Sequence, residues 1–255
     1  MEKDSLFDRR SVLKSIGTAT AGLSIGGQAT ASPSPREIYK QGLKIREQTG
    51  KRGPFEEYIL NRGFSIAQQN SETFAFGEDA GAIGIERVER DDLTLHASVY
   101  TQDGVSYAHG DWYVERDLSD AWNDYDDTGY PPKDIVGIGW EHSDYDIVWD
   151  TWESDSFSSK RVATTNNVAW EFNDEDAHHY YAGDGDGINF QGWADVELTP
   201  TEDISNRSII VNYQHTWVGG SVTGVSFDGS GGMSIGVSLE AKKWDSPRQA
   251  YSSDT

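Results

Sequence analysis

After residue 64 the chain contains no stretch of helical apolar spacing long enough to connect parallel strands, and this limits the folds open to it. Parallel strands need long crossover connections, usually helices. Here, short segments rich in Val, Ile, Thr and aromatic residues recur between Gly, Asp, Asn and Ser. The candidate strands are 73–76, 82–88, 93–100, 105–113, 135–140, 147–152, 161–172, 187–197, 207–217, 222–227 and 233–240. About eleven strands in one domain of this size predict a mainly β fold, a single antiparallel β-sandwich or barrel-like body. No fixed-period repeat is present, which disfavours a propeller or solenoid.

The clearest pair lies near the C-terminus. In Met233-Ser-Ile235-Gly-Val237-Ser-Leu239-Glu240, apolar residues alternate with small or polar ones, as a half-buried strand requires. The segment follows Val222–Phe227 across the loop Asp228-Gly-Ser-Gly-Gly232, so the two read as a hairpin.

Two short helices are expected before the β body. Ser34-Pro35-Arg36-Glu37 combines an N-cap serine, proline at the first helical position and a capping-box glutamate. Gly50 is the matching stop. Pro54 opens a second helix with Phe55, Tyr58 and Ile59 on one face, closed at Gly63-Phe64. Helices this short are marginal alone, so residues 32–63 are expected to brace the domain at 64–255. Charge changes at the same place. Residues 1–62 hold eleven Lys/Arg and seven Asp/Glu, whereas the remainder holds ten and thirty-six.

The first thirty-one residues read as an address. Asp8-Arg9-Arg10-Ser11-Val12-Leu13-Lys14 resembles the twin-arginine export motif, with Val12 in place of the usual Phe. A weakly apolar stretch from Ser15 to Gly27 and the small-x-small site Ala29-Thr30-Ala31 complete a signal peptide over 1–31. The resemblance implies export of an already folded protein. The net charge of −22, with Lys133, Lys160, Lys242 and Lys243 the only lysines beyond position 62, makes the chain look like a secreted haloarchaeal protein. At about 1 M salt the Debye length is only ~3 Å, which screens such self-repulsion. No later segment is apolar enough to span a bilayer as a helix.

The same acidity argues against nucleic acid as a partner. The absence of cysteine excludes disulfides, thiol nucleophiles and cysteine-based metal centres. Acid pairs such as Asp91-Asp92 and Asp126-Asp127 arise from composition alone and mark no general acid or base. Gly183-Asp184-Gly185-Asp186-Gly187 can aim Asp184 and Asp186 at one calcium ion, although the Glu that closes an EF-type loop is missing. A plain Asp-Gly turn fits the same residues. His96, His109, His142, His178, His179 and His215 form neither a His-x-His pair nor a His-Glu-x-x-His metal-binding motif. Asn206-Arg207-Ser208 is a glycosylation sequon at Asn206.

All nine tryptophans lie beyond residue 100. Trp122, Tyr125 and Tyr130 sit among Asp, Asn and Pro in loop-like sequence, where they would form a platform for stacking on sugars. Of Trp149 and Trp152, three apart, one is expected to be buried. The favoured reading is a non-enzymatic secreted β-domain that binds a glycan, polymer or cell surface. The alternatives are an exported hydrolase whose site assembles from distant residues, and a secreted antagonist or toxin acting through the 222–240 hairpin.

Overall fold

The structure is a computed structural model that describes residues 32–74, 93–117, 133–182, 187–201, 207–217, 221–238, 242–243 and 247–253. The chain divides into Met1–Pro33 and Ser34–Thr255, and every described helix and strand belongs to the second unit.

The helices are α1 (Pro35–Thr49), α2 (Arg52–Leu60) and α3 (Asp174–Ala182). The capping box at Ser34 and Glu37 is formed, and Gly50 closes α1 in the left-handed region at φ 63°. The strands of the first sheet are β1 (Ser65–Phe74), β2 (Leu93–Gln102), β3 (Val105–Asp117), β5 (Tyr145–Ile147), β6 (Glu153–Ser154) and β9 (Gly187–Pro200). Their order is β1-β2-β3-β9-β5, with β6 also on β9. The second sheet joins β4 (Asp134–Trp140), β7 (Ser158–Ala163), β8 (Asn167–Phe172), β10 (Ser208–Gln214) and β15 (Arg248–Ser253), in the order β15-β10-β4-β8-β7. β11 (Thr216–Trp217) pairs with β14 (Lys242–Lys243), and β12 (Val222–Phe227) with β13 (Met233–Val237). Every pairing is antiparallel.

The two large sheets pack face to face as a sandwich. Leu95, Val99, Ala108, Trp112 and Val196 of the first interleave with Val136, Ile138, Trp170 and Val211 of the second. Trp112 meets Phe172 edge-on, with centroids 5.1 Å apart. Each sheet also has its outer face covered. On the first, α1 and α2 bury Tyr39, Phe55 and Ile59 against Tyr100, Tyr107 and Trp193. On the second, the β12–β13 hairpin buries Val222, Met233 and Ile235 against Ile135 and Ala169. The order is therefore helices, sheet, sheet, hairpin. No described helix is long and apolar enough to cross a membrane.

The hairpin is fastened by a buried amide. Asn212 donates to the Gly231 carbonyl at 3.0 Å and accepts from the Met233 N–H at 3.2 Å. The close approach depends on glycine. A Cβ on Gly139 would stand 2.5 Å from the Gly231 carbonyl oxygen, and Gly231 itself has φ 87°.

Five features differ from the sequence expectation. The candidate strand 147–152 is strand only at Ile147, where β5 ends; 148–152 is a turn leading to β6, and it carries Trp149 and Trp152. β1 begins at Ser65, well before 73; most of its side chains are exposed, so no apolar alternation marks it. The stretch 161–172 is two strands, turned at 164–166. The acidic run Asp174-Glu175-Asp176 opens α3, where carboxylates complement the helix dipole, and Asn173 Oδ1 accepts from the Asp176 N–H at 3.3 Å. His178 and His179 thus lie in this helix. β15, half-exposed and polar, is a strand that no sequence pattern announces. The candidate strand 82–88 lies outside the described residues.

Replacing Gly139 by Ala should loosen the hairpin while leaving the sandwich intact. Overpacking of this kind costs about 1–3 kcal/mol. The expected readout is faster proteolysis within 222–238 and a lower Tm at unchanged far-ultraviolet circular dichroism.

Candidate functional site

β3 and β9 lie side by side, with Tyr107 opposite Glu197, His109 opposite Asp195 and Asp111 opposite Trp193. Strand side chains alternate between faces. The even-numbered residues therefore enter the sandwich core, and these odd-numbered ones meet the helices. Four of them carry a buried carboxyl or imidazole group: His109, Asp111, Asp195 and Glu197.

The helices bring cations to this face. Arg46 Nη2 donates to Asp111 Oδ1 at 3.0 Å, and both side chains are 4% exposed. Arg52 bonds Glu56 at 2.8 Å and Ser98 Oγ at 3.1 Å, and its Nε stands 3.7 Å from Asp111 Oδ2. Arg36 donates to Glu197 Oε1 through Nε at 3.0 Å and Nη2 at 2.6 Å, and the Tyr107 hydroxyl donates to Glu197 Oε2 at 3.1 Å. Lys40 Nζ lies 3.1 Å from Glu153 Oε1.

His109 is central to the group. Its ring lies between Phe55 and Trp193, nearly parallel to both. Nε2 is 3.3 Å from Asp111 Oδ2 and Nδ1 is 3.7 Å from Asp195 Oδ2. Burial opposes a charge on His109, but the facing Asp111 carboxylate outweighs it and raises the imidazole above its ordinary range. Burial likewise opposes charge on Asp111, yet His109, Arg46 and Arg52 hold its carboxyl well below the usual carboxylate range. Asp195 differs. Burial pushes its carboxyl up to about 6, with His109 only partly opposing the rise. Burial also raises Asp155 to about 6, although it accepts the Trp193 and Phe157 N–H groups at 2.9 and 3.0 Å.

A cleft of about 120 Å³ opens between α1, β3, β9 and the segment 148–153. Four carboxylates line it, Asp150, Glu153, Asp195 and Glu197, against two cations, Arg36 and Lys40. Tyr39 and Tyr107, stacked with centroids 3.7 Å apart, also line it. Asp195 forms the floor, and neither of its oxygens has a hydrogen-bond partner among the described residues. Asp150 is held at φ 63°, and Thr151 Oγ1 accepts from the Glu197 N–H at 3.2 Å, which shapes the wall. Beside it Trp149 is 53% exposed, whereas Trp152 is half-buried, packs on the core and carries Lys160 Nζ over its ring at 4.0 Å.

The residues singled out from sequence, Trp122, Tyr125, Tyr130, Asp184, Asp186 and Asn206, lie outside the described residues, as does the export segment 1–31. The residues that do converge carry no sequence signal, for a physical reason. Tyr107-Ala-His109-Gly-Asp111 and Trp193-Ala-Asp195-Val-Glu197 read as strands with one face in solvent. Only the basic residues of α1 and α2 hint that this polar face is covered.

No protein-family model matches the chain, and no curated protein matches it in sequence. Among solved structures it is similar to one described as a pore forming protein, at 10% identity over 73% of this chain and 90% of that one, with a TM-score of 0.34. It is similar to Clostridium perfringens delta-toxin at 9% identity, 74% and 88% coverage and a TM-score of 0.34. It is also similar to the collagen binding subdomain of the Enterococcus faecalis surface protein ACE, at 7% identity, 59% and 88% coverage and a TM-score of 0.29. Likeness at this level carries no functional argument.

The buried acids make stability depend on pH with a definite sign. Asp195 and Asp155 have folded-state values of about 6, above the ~3.9 of an unfolded aspartate. The folded state therefore binds these protons more tightly, and the stability they contribute is lost as pH rises through about 6. In molar salt, Tm should be higher at pH 5 than at pH 7.5, and Asp195→Asn should flatten that slope. An equal slope in the variant would assign the dependence elsewhere.

Proposed function

We propose that this is an exported, salt-adapted binding domain that holds a hydroxyl-rich polymer, a glycan or cell-surface polysaccharide, at the cleft beside α1. The observation that carries the reading is the cleft's acceptor-rich wall next to an exposed tryptophan. Its accessible carboxylates accept hydrogen bonds and donate none, so a ligand must bring donors. Arg36 and Lys40 already pair with Glu197 and Glu153, which leaves little to attract an anion. Sugar hydroxyls supply the donors, and Trp149 offers a flat apolar face for a ring.

The size of the cleft agrees with a polymer. About 120 Å³ is well below the ~300–1,000 Å³ of pockets that engulf a small molecule. A chain end or a single residue fits, with the rest of the polymer lying along the surface. The twin-arginine motif and the acid-rich, lysine-poor composition support an extracellular site of action in brine. Action through the 222–240 hairpin is the weaker reading, because β12 and β13 have six and five residues against the ~9–11 that cross a membrane.

Binding to an array of polysaccharides in molar NaCl tests the proposal. Retention of at least one glycan is expected. Trp149→Ala and Glu153→Gln should each weaken retention about tenfold, equivalent to ~1.4 kcal/mol. Trp122→Ala reports whether the aromatic loop expected from sequence contributes. A folded wild-type protein that retains no polysaccharide would exclude the reading.

A further inference from the structure

A second polar cluster lies in the second sheet, where β4 begins, β8 leads into α3 and β10 ends. The register brings three residues together. Asp134 is opposite Phe172, two residues before Asp174, and Ile135 is opposite Gln214, one residue before His215. One ligand atom each from Asp134, Asp174 and His215 lies within 4.8 Å of the others. Asp134 and Asp174 are buried, and His215 is 8% exposed.

The geometry around Asp134 is specific. Its carboxylate accepts the Tyr213 hydroxyl and, at 2.9 Å, the Thr216 N–H. His215 Nδ1 stands 3.0 Å from one Asp134 oxygen and 3.1 Å from the other. Nδ1 is thus shared almost equally between the two oxygens. Neighbouring ligands on one cation have this spacing. Bonds of about 2.1 Å meeting at octahedral or tetrahedral angles put neighbouring ligand atoms ~3.0–3.4 Å apart. A bound cation would also offset the cost of burying two carboxylates together.

We propose that Asp134, Asp174 and His215 form a binding site for a divalent first-row transition cation of the zinc or manganese type. An imidazole with two carboxylates suits such ions better than magnesium or calcium, which prefer all-oxygen sites. Bound there, the cation ties the start of β4, the first turn of α3 and the end of β10 into one unit, as structural metals do. The site is separate from the α1 cleft and does not depend on the ligand that cleft takes.

The test uses the whole chain, stripped with a chelator and held in molar NaCl with millimolar Mg²⁺ to occupy surface acids. Titration with Co²⁺ should give a visible d–d absorption band that saturates at one ion per chain and is displaced by Zn²⁺, and Zn²⁺ should raise Tm. His215→Ala and Asp174→Asn should each weaken uptake more than about tenfold, while Asp228→Asn, in the exposed hairpin loop, should not. Absence of saturable Co²⁺ uptake by the folded wild-type protein overturns the proposal. So does uptake abolished by Mg²⁺, or equal uptake by whichever of the two ligand variants folds.

Discussion

The helical layer depends on charges paired out of reach of water. Arg46 and Asp111 meet at 3.0 Å with each side chain 4% exposed, in contact with His109 and Arg52. A buried pair of this kind gains little over a well-packed apolar pair, but removing one partner strands the other charge at a cost of about 3–5 kcal/mol. Its effect is therefore chiefly on placement. α1 has one register in which Arg46 reaches Asp111, and in that register Arg36 and Lys40 reach Glu197 and Glu153 at the mouth of the cleft.

This arrangement lets one sheet serve two layers. β3 and β9 present small and apolar residues to the sandwich and ionisable ones to the helices, so neither face is free. Salt acts differently on the two populations of charge. Exposed acids repel one another and are screened at molar ionic strength. Arg46, Asp111 and His109 are shielded from the solution and keep their interactions there. A strongly acidic chain can thus hold a charged interior where most of its surface electrostatics is screened.

The sequence is informative where local chemistry acts alone. The capping box at Ser34 and Glu37, the stop at Gly50 and the alternation of Met233, Ile235 and Val237 each dictate the element observed. The sandwich follows from strand-like segments without long helices. Legibility ends where a residue's role depends on its cover. β1 and β15 are strands by virtue of their neighbours and not of their own patterns. Asp111 and Asp195 have the spacing of solvent-facing acids, and nothing local in the chain records that α1 lies over them. His109, His215 and Asp134 come together with their partners through strand register, which links positions more than eighty apart in the case of the last two.

A double-mutant cycle on Arg46→Met and Asp111→Asn, measured by denaturant unfolding between about 1 M and 4 M NaCl, tests this account most directly. It predicts a coupling of about 1–3 kcal/mol that stays constant across the salt range. A coupling near zero, or one that fades as salt rises, would show that the pair is solvated and that the helical layer is held by other means.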